Sequence, residues 1–191
     1  MEHTEFPSAA EVEQELKREH YKRRYRQVLK STIFALLTAS AAAVLVATLW
    51  LPVLQIYGES MTPTLNDGEI VFSVKSSHLK QGDVVAFYYN NKILIKRVIA
   101  GPGDWVFIDE DGSVYVNSYL LEEPYITEKS FGITDIELPY QVPDGKYFVM
   151  GDHRATSVDS RNTVVGCITM DQVVGRILFR VWPMDQFGLI S

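Results

Sequence analysis

The sequence predicts a mainly β domain of antiparallel sheets, preceded by one N-terminal transmembrane helix. Three observations support this prediction: a long uncharged run near the N-terminus, a series of short strand-like segments after it, and no sustained helical period beyond Leu54. The chain has 191 residues, enough for one compact domain with a small additional lobe. Its hydrophobic content of 47% excludes a disordered chain.

The uncharged run covers residues 31–54 and exceeds the roughly 20 apolar residues that cross a bilayer. Before it, residues 17–30 contain seven Lys or Arg and one acid, Glu19. The positive-inside rule therefore predicts a single-pass protein of the cell membrane, with a cytoplasmic basic tail over 1–30 and an extracytoplasmic domain over 55–191. The first 16 residues are predicted as a loose tail. Two alternatives for the run are a buried core helix and a cleaved signal peptide.

The strands of the outer domain are predicted from segments rich in β-branched and aromatic residues and bounded by Gly, Asp or Asn. These segments are Glu69–Val74, Asp83–Tyr89, Ile93–Ala100, Trp105–Ile108, Val114–Asn117, Lys146–Met150, Val164–Ile168 and Val173–Val181. The pair Asn90-Asn91 predicts a tight hairpin turn. Residues 104–145 are rich in turn residues and acids, and are predicted as a possible subsidiary lobe.

Charge and cysteine content exclude several classes of function. Residues 55–191 carry 11 Lys or Arg and 18 Asp or Glu, a net charge of -7, so binding of nucleic acid through bulk positive charge is not expected. The single cysteine, Cys167, excludes an intrachain disulfide and a cysteine-based zinc cluster. The four histidines are scattered without metal-ligand spacing, so no metal or cofactor is predicted.

Three segments contain residues suited to catalysis. In GESMTPTL, residues 58–65, a glycine and a proline flank Ser60 in a turn that can present both its hydroxyl and its N–H. Lys96 lies inside an apolar strand, where burial would lower its pKa and leave a neutral amine able to accept a proton from a serine. Residues 147–161, YFVMGDHRATSVDSR, run from an apolar strand into a polar loop typical of an ion-paired support. Taken singly, each is compatible with an ordinary turn, an edge-strand lysine or a solvated loop.

Taken together and in order, these segments resemble the bacterial type I signal peptidases, which are membrane-anchored Ser-Lys proteases. The resemblance covers nearly the whole chain: a basic start, one anchor, GESMTPTL, GDVVAF at 82–87, the Lys96 strand ending in GPGD, and GDHRATSVDSR. One short anchor and a small outer domain are similar to the Gram-positive form. The resemblance implies the signal peptidase or LexA-like β fold and a serine endopeptidase that removes signal peptides from exported preproteins.

By position, the resemblance implies that Ser60 is the nucleophile and Lys96 the general base. Some relatives have a serine two residues before the nucleophile as an oxyanion donor, whereas this chain has Gly58. The oxyanion is therefore expected to bind the backbone N–H groups of Ser60 and Gly58. Many members have Asn where this chain has His153, and we expect that replacement to be neutral.

The remaining matched positions are implied to support the dyad. Ser157 matches the serine that orients the lysine amine, and Asp159 and Arg161 match the ion pair that holds the loop. Asp152 matches a structural acid, and Met61 matches a residue lining the substrate groove. The expected partners are exported preproteins and the lipid bilayer, with no nucleic acid and no metal.

Three alternatives remain at this level. A non-catalytic relative that assists envelope assembly would be expected to have lost the serine or the lysine, and this chain has both. A self-cleaving repressor-type protease shares the β fold but is cytoplasmic and carries a DNA-binding segment. A peptidase dedicated to pilin or sortase-substrate processing is a variant within the favoured class.

Overall fold

A computed structural model of the protein describes residues 9–50 and 52–190. The first element is a helix, α1, at Ala9–Trp50. Its 42 residues span roughly 63 Å at 1.5 Å per residue, about twice the thickness of a bilayer core. Among the described residues, α1 is the one helix long and apolar enough to cross a membrane.

Both ends of α1 differ from the predicted boundaries. Residues 9–16 are helical, not a loose tail, and residues 1–8 lie outside the described part of the chain. The helix ends at Trp50, four residues before the uncharged run does. Pro52 has no N–H with which to continue a helix, and Val53–Gln55 instead pair with a strand of the β domain. The chain divides into two compact units near residue 47, and the β domain is the second of them.

The β domain contains twelve strands joined only by antiparallel pairings among the described residues. They are β1 Val53–Gln55, β2 Ile70–Val74, β3 Val84–Tyr89, β4 Lys92–Ala100, β5 Trp105–Ile108, β6 Val114–Val116, β7 Tyr119–Leu120, β8 Tyr140–Gln141, β9 Lys146–Met150, β10 Ile168–Thr169, β11 Val173–Trp182 and β12 Gly188–Leu189. The larger sheet has the order β1-β2-β11-β3-β4-β9-β10, with β12 also paired to β11. The smaller sheet, β7-β6-β5-β8, lies within residues 104–145.

The predicted mainly β, antiparallel fold with one N-terminal apolar helix is confirmed, and seven of the eight predicted strands occur within one residue of their predicted bounds. The strand predicted at Val164–Ile168 is wrong, because only Ile168 of that segment is in a strand. The Asn162 carbonyl accepts the N–H groups of Val165 and Gly166, which closes a turn, and Gly166 has a φ of +62°. Val164 and Val165 therefore lie in a turn, although their high β propensity favours a strand.

Two apolar clusters fix the elements on which the candidate site is built. The first packs beneath the segment between β1 and β2 and contains Ile56, Met61, Leu65, Val71 and Ile177. The second joins the smaller sheet to β4 and β9 through residues that include Ile99, Val106, Phe148 and Met150. Each such side chain stabilises the fold by about 1.5–3 kcal/mol when fully buried, so both supports are firmly anchored.

Candidate active site

The segment that carries Ser60 connects β1 to β2 and is tied down at both ends. Ile56 N–H donates to the Glu69 carbonyl over 2.8 Å, and Gly68 N–H donates to the Ile56 carbonyl over 2.9 Å. Met61, directly after Ser60, is 2% exposed and packs into the first apolar cluster. Ser60 itself is half-buried. The segment therefore presents the Ser60 hydroxyl from a fixed backbone.

Lys96 brings its amine to this hydroxyl from β4. The residue is 3% exposed, and Nζ lies 2.7 Å from Ser60 Oγ. Burial lowers the pKa of the amine from 10.5 to about 8; Asp159 and Asp152 act to raise that pKa, and Arg161 acts to lower it. At neutral pH about a tenth of this amine is already uncharged, far more than for an exposed lysine.

The loop after β9 contains an ion pair that is wholly buried. Arg161 Nε donates to Asp159 Oδ1 over 2.9 Å and Arg161 Nη2 donates to Oδ2 over 2.9 Å. Gly151 N–H donates to the same carboxylate over 3.0 Å. Burial raises the pKa of Asp159, but the hydrogen bonds and charge of Arg161 and the Gly151 N–H together hold that pKa below its usual range. Asp159 is therefore an ionised tie across the loop.

Ser157 is buried between these groups, and its hydroxyl forms no hydrogen bond of acceptable geometry within the described residues. The hydroxyl lies near Asp159 and helps to lower the pKa of that carboxyl. It also lies beside Gly151, where an added Cβ would overlap both Ser157 Oγ and the Ser60 carbonyl. Ser157 thus adjoins the dyad without a hydrogen bond to Lys96.

Asp152 pairs with Arg97, a residue to which the sequence assigned no role. Arg97 Nε and Nη2 donate to the two carboxylate oxygens over 2.9 and 2.8 Å, and both side chains are at most 1% exposed. Thr64, from the Ser60 segment, donates its hydroxyl to Asp152 over 2.5 Å. An arginine that follows Lys96 in an apolar strand is stable only with a buried acidic partner. This requirement is the feature of the sequence from which an ion pair of Arg97 could have been predicted.

A groove of about 600 Å³ opens beside the dyad and is lined by β1, the first half of β4 and Met61. By the strand pairings of the described residues, β1 pairs only with β2, and residues 92–96 of β4 pair only with β3. Each strand therefore has one edge whose backbone N–H and C=O groups are not used by the sheet. Such edges bind a peptide in extended conformation.

Comparison with known proteins decides the family. The family model described as "Signal peptidase, peptidase S26" matches residues 28–182. The chain belongs to the signal peptidase family, peptidase S26. It is accordingly a hydrolase of the serine endopeptidase class, and the resemblance to type I signal peptidases is confirmed.

Individual members of the signal peptidase family are similar over most of the chain. Signal peptidase I of Bacillus amyloliquefaciens is 37% identical over 163 residues, which cover 80% of this chain and 87% of the relative. Signal peptidase IB of Staphylococcus aureus is 40% identical over 152 residues, covering 69% and 78%. A crystal structure of a signal peptidase I from Enterococcus faecalis has 28% identity and a TM-score of 0.44, covering 52% of this chain and 97% of that one.

One prediction made from the signal peptidase resemblance does not agree with the geometry. Gly58 N–H was expected to be free for an oxyanion, but it donates to Asp67 Oδ1 over 2.7 Å. The glycine is required there for another reason, because its φ of +86° lies in the left-handed region. Ser60 N–H, by contrast, has no acceptor among the described residues. His153 donates its backbone N–H to the Ser60 carbonyl over 3.2 Å, and its side chain takes no part in this hydrogen bond.

A second pair that sequence analysis missed lies behind the same loop of this signal peptidase. Arg154 binds Glu123 through both terminal nitrogens, Nη1 to Oε2 over 3.0 Å and Nη2 to Oε1. The two residues are 31 positions apart, and Glu123 lies among other acids without a distinguishing neighbour. Local pattern therefore gave no signal for this pair.

Proposed function

We propose that this chain is a membrane-anchored signal peptidase that removes signal peptides from exported preproteins, with Ser60 as nucleophile and Lys96 as general base. The observation that carries the proposal is the buried Lys96 amine, 2.7 Å from the Ser60 hydroxyl. In its neutral form this amine accepts the serine proton, and no third residue is needed to activate the nucleophile.

The proposed reaction has two steps. Ser60 Oγ attacks the scissile carbonyl carbon while its proton moves to neutral Lys96, and the resulting oxyanion is bound by the Ser60 N–H. The protonated amine then gives its proton to the leaving amine, which releases the mature protein and leaves an ester on Ser60. Lys96 next accepts a proton from water as that water attacks the ester carbon. The bond from that carbon to Ser60 Oγ then breaks, Lys96 returns the proton to Ser60 Oγ, and the signal peptide leaves with a new C-terminal carboxyl group.

The groove supports an extended signal-peptide segment as the substrate. Main-chain groups of the substrate would pair with the free edges of β1 and β4, while its side chains contact the apolar lining. Met61, which lines the groove next to the nucleophile, is assigned to this contact. Recognition through the backbone fits an enzyme whose substrates share a conformation more than a fixed sequence.

We assign supporting roles to the loop of residues 151–161. The Asp159–Arg161 pair holds the loop, and the Arg97–Asp152 pair joins it to β4 and to the Ser60 segment. The Ser157 hydroxyl is buried and, among the described residues, makes no hydrogen bond of good geometry, so we assign it to orient the Lys96 amine when substrate enters.

The anchor is assigned to α1, which contains residues 31–50 of the uncharged run and, before them, the basic segment of residues 17–30. We propose that α1 crosses the cell membrane once with the N-terminus in the cytoplasm, so that the β domain faces the extracytoplasmic side. Exported preproteins are delivered to that side while still tethered by their signal peptides.

Replacement of the nucleophile tests the proposal. We expect Ser60→Ala to abolish cleavage of a test preprotein by the detergent-solubilised full chain, with the products identified by mass spectrometry. Ser77→Ala, at an exposed serine outside the site, is the matched control and should cleave as wild type does. Substantial cleavage by folded Ser60→Ala protein would contradict the assignment.

A further inference from the structure

Three arginines and three carboxylates form a buried cluster behind the dyad. Arg97, Arg154 and Arg161 have side chains at most 1% exposed, and each is paired with one carboxylate, from Asp152, Glu123 and Asp159 respectively. The cluster is therefore neutral as a whole. Loss of one member leaves an unpaired buried charge, which proteins tolerate poorly.

Glu123 differs from the other two acids in its origin. It follows β7 of the smaller sheet, whereas Asp152 and Asp159 belong to the loop that also contains Ser157. The Glu123 side chain is 2% exposed and accepts hydrogen bonds from Arg154 and, over 3.0 Å, from the Tyr125 hydroxyl. The Tyr125 ring stacks on the Arg97 guanidinium at 3.8 Å.

Arg154 transmits the position of Glu123 to the dyad. Its Nε donates to the Gly151 carbonyl over 3.0 Å, and Gly151 lies against both Ser157 Oγ and the Ser60 carbonyl with no room for a Cβ. A displacement of Arg154 would therefore move the turn that contacts the nucleophile.

Residues 123–132, which we call the strap, extend this support to the second arginine of the loop. Arg161 Nη1 donates to the Phe131 carbonyl over 3.0 Å, and Arg161 Nη2 donates to the Arg154 carbonyl over 2.9 Å. Gly132 lies against Arg161 with no space for a side chain. The strap thus contacts all three arginines of the cluster.

We propose that Glu123 is a positioning residue, which neutralises Arg154 and thereby holds residues 151–161 against Ser60 and sets the pH range in which Lys96 acts. This inference rests on the proposed function. The charges that act on the Lys96 amine are those of Asp159, Arg161 and Asp152. Arg97 follows Lys96 in β4, and the Arg154–Glu123 pair supports the loop that contains Asp159 and Asp152. Without the Glu123 charge, one excess positive charge remains in the cluster and favours the uncharged amine.

The test is the pH dependence of kcat/KM for a test preprotein, measured with the full chain in detergent. In Glu123→Gln we expect the midpoint of the rise with pH to move by about half a unit or more toward acid, with a lower kcat. Glu122→Gln changes the exposed neighbouring carboxylate in the same way and should match wild type. A folded Glu123→Gln protein with the wild-type midpoint overturns the inference. A merely structural role of Glu123 would lower the rate without moving the pH midpoint of kcat/KM.

Arg154→Gln tests the opposite sign and decides the matter if Glu123→Gln does not fold, as judged by thermal unfolding. It leaves Glu123 as an excess negative charge, so the midpoint should move toward alkaline pH. An unchanged midpoint would contradict the inference. If wild type cleaves and Ser60→Ala does not, while neither variant shifts the profile, the proposed function stands and the role of Glu123 alone is refuted.

Discussion

The two sides of the Lys96 amine are built from opposite chemistry. In front of it lies a groove lined largely by apolar side chains such as Ile56, Met61 and Ile95. Behind it lies the cluster of three arginines and three carboxylates. Burial is the dominant influence on Lys96 and lowers its pKa to about 8, and the charges of Asp159 and Asp152, opposed by that of Arg161, offset it only in part. Buried ion pairs can thus position a base while burial still lowers the pKa of that base.

The largest expected effect comes from a base that cannot lose its proton. Lys96→Arg keeps a long cationic side chain, but a guanidinium stays protonated and cannot accept the Ser60 proton. We expect preprotein cleavage to fall by about 10³-fold or more, within the range usually supplied by a general base. Lys75→Arg, at an exposed lysine, should be indistinguishable from wild type in the same assay. Retention of activity in Lys96→Arg would show that catalysis does not require an uncharged base at residue 96.

The ionic side is broken by Asp159→Asn, which leaves Arg161 buried without its charged partner. We expect a loss of about 3–5 kcal/mol in the free energy of unfolding near neutral pH, measured by chemical denaturation. Since the folded-state pKa of Asp159 is below its usual value, this difference is present above about pH 4 and shrinks as the pH falls further.

The matched control for that variant is Asp144→Asn, at an exposed turn residue. It should change the free energy of unfolding by less than about 0.5 kcal/mol. Equal effects of the two substitutions would mean that the buried pair does not tie the loop.

The smallest expected effect is on stability, at Lys96 itself. It separates the cost of burying this amine from the role of the amine in catalysis. A lysine with a folded-state pKa near 8 and an unfolded value of 10.5 destabilises the fold below pH 8, and this penalty is relieved as the pH rises from 8 to 10.5. At 1.36 kcal/mol per unit the penalty is at most about 3 kcal/mol. Lys96→Met should therefore be inactive yet more stable than wild type by about 1–3 kcal/mol at pH 7, and the gain should vanish near pH 10.5.

Thermal or chemical unfolding across this pH range measures the gain, with Lys75→Met as the exposed control. A destabilised Lys96→Met protein at pH 7 would indicate that the amine is held mainly by its partners and not penalised by burial.

Most strands could be predicted because the alternation of apolar and polar residues and the presence of turn residues are local signals. The predicted bounds of Trp105–Ile108, for example, are those of the observed strand. The prediction failed at Val164–Ile168, where hydrogen bonds to the Asn162 carbonyl produce a turn that the valines do not announce. The short strands β1, β7, β8 and β12 have two or three residues, too few to show a period. In the site, the ordered motifs predicted that Ser60 and Lys96 belong together, and the structure places them within hydrogen-bond distance.

The partners of these residues could not be predicted in the same way. The Gly58 N–H donates a hydrogen bond to the Asp67 carboxylate. Arg97 binds Asp152, and Arg154 binds Glu123. The two ion pairs join residues 55 and 31 positions apart, so no local window contains both members of either pair.

The sequence by itself determined the uncharged run, the strand-rich outer region, its net negative charge and the order of the catalytic motifs, because each of these is a property of neighbouring residues. Only the tertiary structure decided which backbone amide is free, which acid neutralises each arginine, and how far the proton affinity of Lys96 falls. Those outcomes depend on burial and on charges brought together from distant positions, and both arise only when the chain has folded.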